Sequence, residues 1–135
     1  MSILGKRVPL RTIAAMAVLM ILAVFAPALS KTPSREITLV AKDMAFYLES
    51  DLKAPNPTPN PTLEIKAGER VRITLKNQDR GITHDFAVPA IRKSLDQIGW
   101  NESDEVVFTA PKRPGAYPYE CQPHRLMMRG TIRVF

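Results

Sequence analysis

The sequence contains one cysteine, two histidines and one tryptophan in 135 residues. A single cysteine excludes an internal disulfide, so packing, or packing together with a bound metal, has to hold the fold. Glycine is scarce beside proline, six against twelve, which argues for a loop-rich, strand-based chain rather than a helical one. No internal repeat and no long amphipathic helical stretch is present. Lysines and arginines form no run and are not interleaved with aromatics, which excludes the usual footprint of a nucleic-acid binder. The formal charge of +6 arises partly near the N-terminus. Three of the nineteen basic residues lie before residue 31, and the remainder of the chain carries sixteen against thirteen acids. Its length accommodates one domain beyond a targeting segment.

Residues 1–30 read as an export signal. Lys6, Arg7 and Arg11 precede an apolar run from Ile13 to Ala28, and Ala26-Pro27-Ala28 has the small-x-small form of a cleavage site. A cut after Ser30 fits as well. The same run, near the lower limit of about 18 residues for a spanning helix, reads alternatively as an uncleaved anchor. Both readings put residues 36–135, the domain proper, in the periplasm or another extracytoplasmic space, secreted or membrane-tethered. A lone cysteine in an oxidising compartment is a liability unless a metal or burial protects it.

The remaining chain alternates apolar and polar residues in short runs. Glu36 to Ala41 predicts a first strand with Ile37 and Leu39 on one face, and Met44 to Leu48 a second extended piece. Ala54 to Thr62, with four prolines, can donate few backbone hydrogen bonds and predicts an extended surface excursion. Leu63 and Ile65, the Ala67-Gly68-Glu69 turn, then Val71, Ile73 and Leu75 predict strand, tight turn and strand. Phe86 and Val88 alternate again. The segment Ile91 to Gly99 predicts a short helix with Leu95 and Ile98 inward, and Trp100 follows as a core or edge plug. Val106 and Phe108 mark another strand, and Pro111 to Gly115 a turn. Tyr117, Tyr119 and Cys121 lie on the penultimate strand, the tyrosines as sheet packing, and Ile132 and Val134 on the last. Seven or eight short strands with proline-rich turns predict an all-β sandwich.

Chemistry concentrates at 117–134. Cys121, His124, Met127 and Met128 share one short loop, and the other histidine, His84, opens an apolar run upstream. A thiolate, two imidazoles and a thioether are the donor list of a type 1 copper site, since imidazole suits Cu(II) and sulfur suits Cu(I). Taken singly, a histidine is an ordinary surface or core residue, a cysteine a small buried hydrophobe and paired methionines core filler. What lifts the metal reading is that both histidines and the only cysteine enter one pattern with none left over.

That pattern resembles the cupredoxins, the small blue copper proteins that include azurin, amicyanin and plastocyanin. Cys121-Gln-Pro-His124 is similar to the Cys-x-Pro-His of plastocyanin and amicyanin, and the run from His124 through Met128-Arg-Gly130-Thr-Ile to the azurin ending. Upstream, Ala67-Gly68-Glu69-Arg70-Val71, Asn77 and His84 resemble the corresponding family positions. The resemblance implies a Greek-key sandwich and one copper ion held by His84, Cys121, His124 and an axial methionine. Spacing as in amicyanin favours Met127, whereas the Met-x-Gly anchor and the strand after it favour Met128, which is preferred. Asp85 stands where the family often has an asparagine that ties the two ligand loops together, and a carboxylate there would favour Cu(II). A carboxylate-ligated variant through Glu120 is a further alternative.

The implied function is single-electron transfer between larger redox proteins, such as a cytochrome or an oxidoreductase, by a monomer that is not an enzyme. No histidines are spare for a catalytic copper, and the second cysteine of a binuclear site is absent. Arg80, Arg92, Lys93, Lys112, Arg113, Arg125 and Arg129 fall in segments the family places near the ligand loops, where they read either as a solvated face or as a rim for an acidic partner. The competing function is a copper carrier or delivery protein without a redox role. Its usual surplus of methionines is missing here, because Met16 and Met20 belong to the leader.

Overall fold

Alternation sets the architecture. In Arg70–Asn77 the side chains of Val71, Ile73 and Leu75 are buried while Arg72, Thr74 and Lys76 point away from the core, the period-two signature of a half-buried strand. The computed structural model describes residues 32–135, and the leader predicted for 1–30 lies outside them. Nine strands follow in order: β1 Arg35–Lys42, β2 Ala45–Leu48, β3 Leu63–Ile65, β4 Arg70–Asn77, β5 Ala87–Val88, β6 Lys93–Ser94, β7 Ser103–Thr109, β8 Gly115–Glu120 and β9 Arg129–Val134. They form two sheets, β2-β1-β4-β7 and β3-β9-β8-β5-β6. Among the described residues no helix is long and apolar enough to cross a membrane.

Between the sheets lie Leu39, Phe46, Leu63, Ile65, Val71, Ile73, Leu75, Phe86, Phe108, Tyr119, Ile132 and Val134, all nearly or fully inaccessible. Three of them form an aromatic cluster. Phe86 stacks on Tyr119 with centroids 5.3 Å apart, and Phe46 meets both edge-on at 6.1 and 5.5 Å. Such pairs contribute about 0.5–1.5 kcal/mol each beyond the area they bury.

The strands and the turn expected at 63–75 are present, but the two strands do not pair with each other. β3 pairs in parallel with β9, Leu63 opposite Ile132, whereas β4 pairs in parallel with β1 and antiparallel with β7. The turn between them carries the chain from one sheet to the other. Its backbone bonds show why: Ala67 N–H donates to Phe135 O, Gly68 N–H to Pro111 O, and Ala110 N–H to Glu69 O. Distant segments satisfy the turn, so a two-strand ladder is not needed.

The segment 91–99 does not form the expected helix. A single turn at Pro89–Ile91 ends at Arg92, whose φ of 52° is left-handed. Lys93 and Ser94 then pair with Val88 and Ala87. Leu95 N–H donates to Phe86 O, and Ile98 bridges His84 in both directions, at 3.1 and 2.8 Å. Leu95 and Ile98 do point inward as expected, but from an extended path, because the strand ahead of it offers partners that a helix would leave unmet. Of the two places expected for Trp100, core or edge, the core is excluded. Trp100 is 46% exposed, with the Arg80 guanidinium 4.4 Å above its ring.

Candidate metal centre

β8 ends at Glu120, and the chain turns back through Cys121 and the one-turn helix Gln122–His124 before entering β9. The loop closes on itself. His124 N–H donates to Cys121 O, Met127 and Met128 N–H both donate to His124 O, and Cys121 N–H donates to Met128 O, all at 2.9–3.0 Å. Pro123 suits the first turn of this short helix, where its missing N–H costs nothing. His84 arrives on a separate loop between β4 and β5, clamped by its two backbone bonds to Ile98. Asn77 underpins that loop from inside: its amide donates to Ile82 O and Ile98 O, and its oxygen accepts from Asp79 N–H.

These two loops bring His84, Cys121 and His124 together, with one donor atom from each lying within 4.8 Å of the others. Cys121 Sγ is 3.7 Å from His84 Nδ1 and 3.4 Å from His124 Nδ1. A first-row ion about 2.0 Å from nitrogen and about 2.3 Å from thiolate, at angles between tetrahedral and trigonal, sets its donors about 3.5–3.7 Å apart. The observed spacings therefore fit a shared ion, and the donor types fit copper. Neither Asp85 nor Glu120 joins this group.

His84, Cys121 and Met128 are inaccessible to solvent, while His124 is half-buried. Met127, by contrast, is 61% exposed and Leu126 is 96% exposed. The two methionines thus part company: Met128 lies in the core on the strand side of the loop, and Met127 faces outward. Gln122, Pro123, His124, Arg125, Leu126 and Met127 line a shallow groove at the surface.

Asp85 is buried at 1% exposure, and its Oδ1 accepts the Gln122 N–H at 2.7 Å. The Asp85 carboxyl thus ties the His84 loop to the Cys121 loop. Burial pushes the Asp85 carboxyl above its usual range, against the pull of that N–H. Burial likewise pushes the Cys121 thiol up to about 11, with the Asp85 carboxylate adding to the rise and the Asp85 backbone N–H opposing it. Metal uptake at this cysteine therefore has to release a proton.

Two residues of the site carry no signal in the sequence. Asp79 Oδ2 lies 2.9 Å from His84 Nε2, and Asn60, in the proline-rich segment, donates to Met127 O at 3.0 Å. Nothing local distinguishes either from an ordinary polar loop residue.

Residues 13–134 match the family described as Cupredoxin-like domain. No curated protein matches the chain. Among solved structures, auracyanin B is similar at 22% identity and a TM-score of 0.59, over 79% of this chain and 93% of that one. Rusticyanin from Thiobacillus ferrooxidans is 20% identical with a TM-score of 0.57, over 77% of this chain and 79% of its own. Dithionite-reduced auracyanin from Roseiflexus castenholzii is 18% identical with a TM-score of 0.55, over 77% and 99%. Those structures establish the fold, and the family match extends over nearly the whole sequence. The chain belongs to the cupredoxin-like family.

Proposed function

We propose that this protein binds one copper ion through His84 Nδ1, Cys121 Sγ and His124 Nδ1, with the Met128 thioether as the fourth donor, and carries single electrons between larger redox proteins. The observation that supports this most directly is the spacing of the three donors, 3.7 and 3.4 Å from sulfur to each imidazole nitrogen. When bound, the copper supplies a one-electron Cu(II)/Cu(I) couple that this mixed nitrogen and sulfur donor set tolerates in both states.

The rest is the work of the chain. Ile98, Asn77 and Asp79 hold His84, and the closed 121–128 loop holds Cys121 and His124. Donors anchored at both ends to sheet strands move little, so an electron can come and go with little rearrangement. Burial of His84, Cys121 and Met128 excludes water from three sides. His124 is the exception, and its half-exposed ring beside Leu126 and Met127 is where a partner would approach. Arg80, Arg92, Lys93, Arg125 and Arg129 are exposed and suit steering of an acidic docking face, whereas Lys112 and Arg113, also exposed, lie on the β7–β8 turn at the other end of β8 from the ligand loop. Both histidines and the sole cysteine are committed to one ion, leaving no nitrogen or thiolate donors for a second, catalytic copper. Residues 1–30 serve in this reading as the export leader, or as an anchor if uncleaved, with 36–135 as the extracytoplasmic domain.

Adding Cu(II) to the purified protein tests the proposal. Stoichiometric uptake with strong visible absorption and a type 1 EPR signal is expected. A colourless Cu(I) form resisting oxidation would favour delivery over electron transfer, and no stoichiometric uptake would sink the metal reading.

A further inference from the structure

The side of His84 turned away from Cys121 meets a carboxylate. His84 Nε2 lies 2.9 Å from Asp79 Oδ2, with the histidine side chain wholly buried and that of Asp79 10% exposed. Asp79 is itself fixed from several directions. Oδ1 accepts the Asp43 N–H at 2.7 Å and Oδ2 also accepts the Met44 N–H at 3.1 Å. The Asp79 N–H donates to Asn77 Oδ1 at 2.8 Å. Asp43 and Met44 form the turn between β1 and β2, and both are left-handed, at φ of 51° and 60°. Two consecutive residues in that conformation aim their N–H groups to one side, where the carboxylate sits. The Asp79 side chain therefore links the β1–β2 turn to the histidine, and its position does not depend on the metal.

We infer that Asp79 is a positioning residue for the metal site. A carboxylate that takes two backbone N–H groups acts only as an acceptor, so the hydrogen between it and His84 belongs to Nε2. A neutral imidazole protonated at Nε2 presents its lone pair at Nδ1, the atom that faces Cys121. An anion hydrogen-bonded to the far nitrogen also makes the near one a stronger donor. Cu(II) gains more than Cu(I) from a stronger nitrogen donor, so Asp79 biases the couple toward the oxidised ion. This inference rests on the copper reading above and adds the residue that sets the ring's tautomer and donor strength. The competing view makes Asp79 a staple for the β1–β2 turn and nothing more.

Two measurements decide between them. In the metal-free, nitrogen-15-labelled protein above neutral pH, His84 is expected to be protonated at Nε2 and bare at Nδ1, with the Nε2 proton in slow exchange. A proton on Nδ1 would overturn the inference, and this measurement needs no variant. In the copper-loaded protein, Asp79→Asn is expected to weaken Cu(II) binding relative to Cu(I) about tenfold, raising the reduction potential by ~59 mV. Asp79→Glu, which retains the anion, is expected to return it toward the parent value. An Asp79→Asn protein with a lower melting temperature but an unchanged potential would reduce Asp79 to a turn staple. If the parent protein takes up no copper, the metal reading fails, and the nitrogen-15 result still judges the tautomer.

Discussion

Gly130 lies against the hydroxyl end of the ring of Tyr119, its partner across the β8–β9 ladder, and a β-carbon at Gly130 would collide with Cζ, Cε1 and the hydroxyl of that ring. Tyr119 has nowhere to retreat. Its hydroxyl donates to Pro61 O at 2.7 Å, its ring stacks on Phe86, and Phe46 meets it edge-on. The glycine in Met128-Arg-Gly130 is therefore a packing requirement of the aromatic core two residues from the proposed copper ligand.

Gly130→Ala is accordingly expected to destabilise the protein by at least about 1–3 kcal/mol through overpacking. Thermal melting checks it. Combined with Tyr119→Leu, which shortens the opposing side chain, the two losses are expected to sum to less than their separate values. Strict additivity would show that the contact is not the cause.

Met127→Leu and Met128→Leu separate the two candidate thioethers. Met128 is fully buried and Met127 is 61% exposed. Leucine nearly conserves methionine's volume, so each change is expected to cost less than about 1.5 kcal/mol of stability. Only Met128→Leu is expected to alter the absorption spectrum and potential of the copper-loaded protein. A shift confined to Met127→Leu would reassign the axial ligand.

Asn60 joins three segments at once. Its N–H donates to Phe46 O, its Oδ1 accepts the Phe46 N–H, and its amide donates to Met127 O. Its φ of 48° is one that asparagine tolerates better than most residues. Asn60→Ala is expected to cost about 1–3 kcal/mol, since it strands the Phe46 N–H and strains the backbone. It is also expected to speed hydrogen exchange at Met127 and Met128. Unchanged exchange there would separate the proline-rich segment from the ligand loop.

Glu69 provides a pH test remote from the metal. Burial would raise its carboxyl, but the Lys66 N–H and the Arg35 guanidinium outweigh that and hold it below the usual range. A carboxyl lowered on folding contributes stability that is present above the unfolded value of about 4.3 and lost as pH falls through the folded one. Melting temperature followed from neutral to acid is thus expected to drop less steeply in Glu69→Gln, which starts lower at neutral pH. Parallel profiles for the two proteins would remove Glu69 from the acid response.

Legibility divided along a physical line. The strands at 35–42, 70–77, 103–109 and 129–134 follow from alternation, which depends only on neighbours two residues apart. The kinds of donor were equally plain, because so few soft side chains exist in the chain to choose among. Partnership was not. Leu63 and Ile65 alternate identically whether β3 pairs with β4 or, as it does, with β9. Leu95 and Ile98 point inward from an extended path as they would from a helix, and it is pairing with the backbone of His84 and Phe86–Val88 that excludes the helix.

By itself, then, the sequence determined which side chains could hold a soft ion and which runs would lie flat in a sheet, since residue chemistry and pleat are local properties. Tertiary structure alone decided that the donors from two loops 37 residues apart stand within bonding reach of one point. It also decided that Met128 turns inward while Met127 turns out, and that Asp79 backs His84. Those outcomes depend on where long-range hydrogen bonds close the loops, and that is a property of the whole sandwich.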